Sequence, residues 1–203
     1  ALFFLVLNSI CVAIFSGCGS GGGGSDTAPG ATLQASSTIG VNGGTVEVAN
    51  PDSPIYGTKV DIPPGALNED NVISISLPSA APEVPLPGSL LPAGLNISFQ
   101  PDNLKFNRPI SITIPYNDND GDGLIDGTNM SEDGVYALTF TENSGQWLYA
   151  LKISQNNSDK TIKLITDSFS IYASAVDERD MLETSKASIF TIDGLNFSKI
   201  FPG

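Results

Sequence analysis

The chain has no histidine among its 203 residues, and this absence excludes several kinds of enzyme. Ser-His-Asp triads, Cys-His dyads and zinc sites with imidazole ligands all require the missing side chain. The only two cysteines, Cys11 and Cys18, lie near the start of the sequence, so residues 19–203 contain neither a disulfide nor a thiolate metal site. We therefore predict a non-enzymatic protein whose fold depends on packing, hydrogen bonds or a hard cation.

Positive charge is also scarce in this chain. It has 9 Lys and Arg against 22 Asp and Glu, which gives a formal net charge of -13. Such a surface repels the phosphates of nucleic acid, so nucleic acid is not an expected partner. Hydrophobic residues make up 40% of the sequence, which is enough for the core of one domain with tails.

The first residues have the features of an export signal. Residues 1–17 are mostly apolar but lack a basic n-region, so we interpret them as a signal peptide truncated at its start. The stretch Phe15-Ser16-Gly17-Cys18 resembles a bacterial lipobox, which implies that Cys18 is acylated and anchors the protein in a membrane. Gly19, in place of an aspartate, implies the outer membrane in lipoproteins of this kind. A buried cysteine near the end of an apolar helix is the alternative.

Residues 18–37 are predicted to be a flexible tether, because Gly, Ser and Ala dominate them and few side chains could be buried. From residue 38 to 176 the sequence changes to short alternating apolar stretches separated by turn residues. Ile110, Ile112 and Ile114, for example, alternate with Ser111 and Thr113. We predict an all-β domain, an antiparallel β-sandwich of about nine strands, at residues 45–49, 59–63, 72–77, 95–100, 110–114, 135–141, 146–151, 161–166 and 170–176.

Two further segments are not predicted to be central strands. Residues 79–94 contain several prolines, which donate no ladder hydrogen bond, and are expected to form a crossover loop or an edge. Residues 177–203 form a C-terminal extension, first charged and weakly helical and then β-like. This extension is either a last strand or the start of another domain.

An acidic loop at residues 117–133 is the strongest candidate site. Its spacing, DxDxDGxxD, is that of a calcium loop, in which alternate carboxylates face one centre. Gly123 supplies the sharp turn and Ile125 should attach the loop to the core. Asn129 stands where a bidentate Glu is expected, so we predict weak Ca²⁺ binding, with a dissociation constant of about 10⁻⁴ to 10⁻³ M. The predicted ligands are Asp118, Asp120, Asp122, the Leu124 carbonyl, Asp126, and Glu132 or Asp133.

The alternative interpretation of this loop is a solvated turn that binds no metal, since Asp, Asn and Gly form turns without metal. Residues 117–133 contain six carboxylates and no Lys or Arg, however. Self-repulsion in the free loop should therefore favour a divalent ion. Magnesium is a weaker candidate, because it prefers fewer protein oxygens in a strict octahedron.

Residues 38–176 also resemble a known family. GGTV at 43–46, VDIPPGAL at 60–67, VISISL at 72–77 and NRPISITIPY at 107–116 are similar to the ZU5 domain, a β-sandwich found in ankyrins and netrin receptors. Bacterial surface lipoproteins carry a similar module with an acidic loop after the last of these motifs. Some ZU5 proteins cleave themselves at His-Phe-Ser, which corresponds here to Ser168-Phe169-Ser170. Because serine replaces that histidine, self-cleavage between Phe169 and Ser170 is the less favoured alternative.

The function predicted from these features is structural or adhesive. The protein is expected to be a lipid-anchored outer-membrane module with a calcium-stabilised β-sandwich, bound to an unknown surface protein or polysaccharide. A second hypothesis is a calcium-dependent carbohydrate-binding module. It would use Trp147, the only tryptophan, as an aromatic platform beside the acidic loop, whereas simple packing of Trp147 is the competing interpretation.

Overall fold

The computed structural model describes residues 31–78, 86–141 and 144–180. These ranges form twelve β-strands and one 3-10 helix, Glu132–Gly134. The strands are β1 Thr32–Ile39, β2 Gly44–Glu47, β3 Lys59–Ile62, β4 Asn71–Leu77, β5 Leu90–Pro92, β6 Ile97–Gln100, β7 Lys105–Pro115, β8 Tyr136–Thr141, β9 Gln146–Tyr149, β10 Leu151–Asn156, β11 Thr161–Ser168 and β12 Ile171–Asp177.

The strands form two antiparallel sheets that pack as a sandwich, as the alternating sequence predicts. One sheet has seven strands in the order β1-β4-β6-β12-β8-β9, with β5 paired to the end of β12. The other has five strands in the order β10-β11-β7-β3-β2. Both the fold class and the antiparallel pairing are therefore confirmed, although the described residues form twelve strands where about nine were predicted.

The core lies between the two sheets and follows the predicted periodicity. Ile110, Ile112 and Ile114 of β7 are buried, while Ser111 and Thr113 lie on the outer face of the five-stranded sheet. Phe99, Phe169 and Tyr172 form an aromatic group in the same core, with ring centroids 5.7 to 5.8 Å apart around Phe99. This central packing holds the end of β7, and hence the start of the acidic loop, in place.

The domain begins earlier than predicted. Residues 32–37, assigned to the tether, form most of β1, which pairs with β4 at the edge of the seven-stranded sheet. The segment is mostly polar and Leu33 is exposed. It is held by backbone hydrogen bonds along β4 and by Ala35, which packs against the core, and composition does not reveal either contact.

The predicted strand at 146–151 is in fact two strands. β9 ends at Tyr149 and β10 begins at Leu151, and the chain changes from one sheet to the other at Ala150. The end of the proline-rich segment forms β5, which agrees with the expected edge position. Residues 79–85 of that segment lie outside the described residues.

Several predictions fall on residues that the structure does not describe. This group comprises the predicted signal segment 1–17, Cys18 with its predicted lipid, residues 19–30 of the predicted tether, and residues 181–203. Within the described ranges, no helix has both the length and the apolar character needed to cross a membrane.

Candidate metal centre

The acidic loop leaves β7 and folds back on itself before the 3-10 helix. Leu124 and Ser131 form an isolated antiparallel bridge, and the Ile125 amide donates to the Met130 carbonyl at 2.8 Å. Ile125 is completely buried in the core, as predicted. Gly123 has a φ of 83°, in the left-handed region that the sharp turn requires. The loop is thus fixed to the domain at its eighth position, while residues 119–122 are exposed at the surface.

Three of the predicted ligands lie together. Asp118, Asp120 and Asp126 each place a carboxylate oxygen so that all three atoms are within 4.8 Å of one another. Asp118 is buried, whereas Asp120 and Asp126 are exposed. These three carboxylates could together hold a metal ion, and their hard oxygen donors suit a hard divalent cation.

One atom of this group lacks a partner. The Oδ1 atom of Asp118 is buried and accepts no hydrogen bond of ordinary geometry from the residues that the structure describes. The backbone amides of Gly121 and Gly123 nevertheless lie close enough to this carboxylate to help lower its pKa. A buried acceptor without a partner costs free energy, so such atoms in native proteins usually bind water or an ion. The unpartnered oxygen supports a cation site and would be unexpected in a solvated turn.

Hydrogen bonds inside the loop orient the other carboxylates. Asp126 accepts bonds from both the backbone amide and the side-chain amide of Asn119, the former at 3.0 Å. The Asp122 carboxylate accepts from the Leu124 amide at 2.8 Å and forms a local turn. Asp120 accepts a longer bond of the same kind, from the Asp122 amide at 3.3 Å. Of the two, only Asp120 belongs to the three-carboxylate group.

A lysine from a distant turn contacts the loop, and the sequence analysis missed it. Lys160, between β10 and β11, donates to Oδ2 of Asp118 and, at 2.9 Å, to Oε2 of Glu132. Self-repulsion in the free loop is therefore smaller than its sequence predicts, because this one ammonium pairs with two of the six carboxylates. The register explains the contact. Thr161 of β11 pairs with Pro115 of β7, so Lys160 lies beside the start of the loop.

Glu132 and Asp133, the two candidates for the missing twelfth ligand, both accept hydrogen bonds from other side chains. Glu132 is buried, and its Oε2 also accepts from the Tyr116 hydroxyl at 2.9 Å. The Asp133 carboxylate accepts from the Asn157 side chain at 2.8 Å. Neither residue belongs to the three-carboxylate group, although Glu132 is connected to Asp118 through Lys160.

The ionisation of these groups reflects the same contacts. The hydrogen bond from Lys160 holds the pKa of Asp118 below its usual range, against the opposing effect of burial. The same bond, together with the one that Lys160 donates to Glu132, raises the pKa of Lys160. Burial, followed by the bond to Glu132, raises the pKa of Tyr116 to about 12. At neutral pH the cluster therefore contains an ionised Asp118, a charged Lys160 and a neutral Tyr116.

The structure also places the two other candidate sites, the self-cleavage site at Ser170 and the sugar platform at Trp147, in surroundings that do not suit those functions. The Ser170 hydroxyl donates to the Phe140 carbonyl, and Phe169 is buried in the aromatic group of the core. Trp147 is only 6% exposed and packs edge-on against Phe140, with ring centroids 5.3 Å apart. The hypothesis that Trp147 offers a platform to sugars is therefore wrong, because packing covers the ring.

Comparison with known proteins does not assign a family. No protein-family model matches the chain, and no curated protein matches it significantly. The resemblance to ZU5 domains and to bacterial lipoproteins therefore stays a prediction based on the motifs quoted above.

Proposed function

We propose that this protein is a non-enzymatic, lipid-anchored module of the cell surface whose β-sandwich is stabilised by calcium bound in the acidic loop. The buried, unpartnered Oδ1 of Asp118 beside Asp120 and Asp126 is the observation that carries the calcium site. The lipobox-like sequence ending at Cys18 supports the anchor, and Gly19 after it supports the outer membrane. A structural or adhesive role fits a sandwich tethered in this way.

Calcium fits this donor set better than magnesium. Calcium accepts six to eight oxygens in flexible geometry, including carboxylates and water, whereas magnesium demands a strict octahedron. Three carboxylates on one loop, of which two are exposed, leave room for water in the shell. Because Lys160 competes for Asp118, the expected affinity is weak, about 10⁻⁴ to 10⁻³ M, as is typical of extracellular modules.

Two features support a role other than catalysis. The chain has no histidine to act as a base, and the Ser170 hydroxyl is bonded to a backbone carbonyl. Self-cleavage at Phe169 and Ser170 would require another group to activate that hydroxyl. An intact-mass spectrum of the purified protein would show one species under our proposal and two fragments under self-cleavage.

A thermal melt tests the calcium site. If the dissociation constant is about 1 mM, we expect about 10 mM Ca²⁺ to raise the Tm of the protein by about 3–6 °C over its value in chelator. Asp120→Asn combined with Asp126→Asn should abolish the rise. The matched control, Asp52→Asn with Asp102→Asn, removes two exposed carboxylates elsewhere and should retain it. Coincident curves for the unmodified protein in calcium and chelator would refute the proposal.

The anchor requires its own test. When the chain is expressed with a complete export signal in a Gram-negative host, the protein should fractionate with outer membranes. Cys18→Ser should release it to the soluble fraction, whereas Cys11→Ser should not, because Cys11 precedes the lipobox. Membrane association of the Cys18→Ser variant equal to that of the original chain would contradict lipid anchoring.

A further inference from the structure

An open cleft of about 700 Å³ lies on the outer face of the five-stranded sheet, away from the acidic loop's carboxylates. Its floor is a row of side chains at matching register positions on consecutive strands. Glu47 of β2 pairs with Lys59 of β3, which pairs with Thr113 of β7, and the row continues through Lys163 of β11 to Ser154 of β10. The floor is therefore polar along its whole length.

Two connections lining the cleft include an exposed aromatic ring and further polar groups. The connection between β2 and β3 contributes Tyr56, whose side chain is 55% exposed. The turn between β10 and β11 contributes Ser158 and Asp159. An exposed aromatic ring beside a row of hydrogen-bonding groups is the combination that a ligand with both apolar faces and hydroxyl edges requires.

The charges in the cleft disfavour an ionic ligand. The ammonium groups of Lys59 and Lys163 lie 3.5 and 3.7 Å from the same oxygen of Asp61. The cleft also contains the carboxylates of Glu47 and Asp159, so its lining has two cations and two anions. An anionic ligand would contact lysines that already pair with Asp61. A cationic ligand would be attracted by Glu47 and Asp159 but repelled by the two lysines. An uncharged, hydroxyl-rich ligand has neither disadvantage.

We infer that this cleft binds a neutral polysaccharide, with one sugar stacked on Tyr56 and its hydroxyl groups bonded to the polar floor. This assignment rests on the proposed adhesive role and names the class of its partner. The cleft lies on the five-stranded sheet, whereas Trp147 lies on β9 of the other sheet. Calcium is not a ligand of the sugar in this arrangement.

The turn at one side of the cleft is held by the acidic loop. Asn156 and Asp159 line the cleft, while Asn157 and Lys160 of the same turn bond to Asp133 and Asp118. The loop therefore positions that side of the cleft without contacting the ligand. Sugar binding should persist when calcium is removed, because the Lys160 contact does not require a metal.

Affinity electrophoresis in native gels tests this inference on the unmodified chain. Gels would contain, in turn, a neutral β-glucan, xyloglucan, galactomannan and the anionic polymer alginate, each with calcium and with chelator. We expect at least one neutral polymer to retard the protein in both conditions, and Tyr56→Ala to reduce the retardation at least about tenfold, in line with loss of a stacking residue.

Tyr149→Ala is the matched control, because Tyr149 is 54% exposed but lies on β9 in the other sheet. It should migrate like the original protein, and circular dichroism melts would verify that both variants fold. Absence of retardation by every neutral polymer, retardation by alginate alone, or undiminished binding by Tyr56→Ala would each overturn the inference. Since the calcium-dependent Tm is measured on the same samples, failure of the cleft is distinguishable from failure of the metal site.

Discussion

Lys160 donates to Asp118 across 42 residues of sequence and places an ammonium group on the first carboxylate of the acidic loop. The Lys160 ammonium is a positive charge supplied by the protein, at a site whose carboxylates could also bind a metal ion from solution. A calcium ion must therefore share Asp118 with Lys160 or displace it from the carboxylate. The competition gives a physical reason for weak metal binding that is independent of the missing twelfth ligand.

Lys160→Gln should strengthen calcium binding. Removing the ammonium leaves Asp118 and Glu132 without their common counter-ion, so we expect a dissociation constant lower by on the order of tenfold. The same variant should melt earlier than the original protein in chelator. Calorimetric titration with Ca²⁺ measures the affinity, and Lys163→Gln, whose lysine pairs with Asp61, is the control. Equal or weaker binding by Lys160→Gln would argue against competition.

The carboxylates of the acidic loop should differ in how much each contributes to calcium binding. Asp120 belongs to the three-carboxylate group, whereas Asp122 accepts a bond from the Leu124 amide, which an asparagine oxygen can also accept. We expect Asp120→Asn to remove most of the calcium-dependent rise in Tm and Asp122→Asn to retain most of it. If both variants lost the calcium-dependent rise in Tm equally, Asp122 would be a ligand as well, as the sequence pattern alone predicts.

The interior of the sandwich could be predicted from the sequence, but some of its edges could not. Ile110, Ile112 and Ile114 alternate with small polar residues, and this period of two determines both the strand and its buried face. β1 has no such pattern, because an edge strand held by backbone hydrogen bonds accepts polar side chains on both faces.

The carboxylate group of the candidate site follows from local spacing, whereas its cation partner does not. Asp118, Asp120 and Asp126 lie within one short loop, so their proximity follows from the loop motif. Lys160 reaches Asp118 only because β11 pairs with β7 in one particular register. Strand register between distant segments depends on the packing of the whole sheet, which a single sequence does not specify.

Stability in acid should depend on Asp177. This buried carboxylate accepts bonds from the Arg179 guanidinium at 3.0 Å and from the Ser89 hydroxyl, and these bonds hold its pKa well below the usual range. A lowered pKa in the folded state stabilises the protein above the unfolded pKa of about 3.9, and the contribution is lost as the pH falls below that value. Asp177→Asn should therefore melt earlier at pH 7, and the difference should narrow between pH 4 and about pH 3.

The pH prediction requires a comparison at each pH value, because other carboxylates also titrate in this range. Melts of the two proteins by circular dichroism from pH 7 to about pH 3 give the difference in Tm directly. Glu178→Gln, an exposed neighbour, serves as the control and should show no such convergence. A difference that is constant across the range would mean that the Asp177 contribution is not electrostatic.

Trp147 should contribute to stability and have little effect on ligand binding. Its ring is buried against Phe140, so Trp147→Ala should lower the free energy of unfolding by about 3 kcal/mol. Leu148→Ala, at an adjacent position that is 49% exposed, should cost well under about 1 kcal/mol. Urea unfolding followed by tyrosine fluorescence measures both. Similar values for the two variants would indicate that Trp147 is not packed as described.

Counting bound calcium tests the central claim most directly. Equilibrium dialysis against about 2 mM radioactive Ca²⁺, a concentration above the expected dissociation constant, compares the original chain with the Asp120→Asn, Asp126→Asn double variant. For a dissociation constant of about 10⁻³ to 10⁻⁴ M, we expect about 0.7 to about 0.95 more calcium ions per molecule in the original chain than in the variant. Equal calcium content in the two proteins would contradict a metal site in the acidic loop.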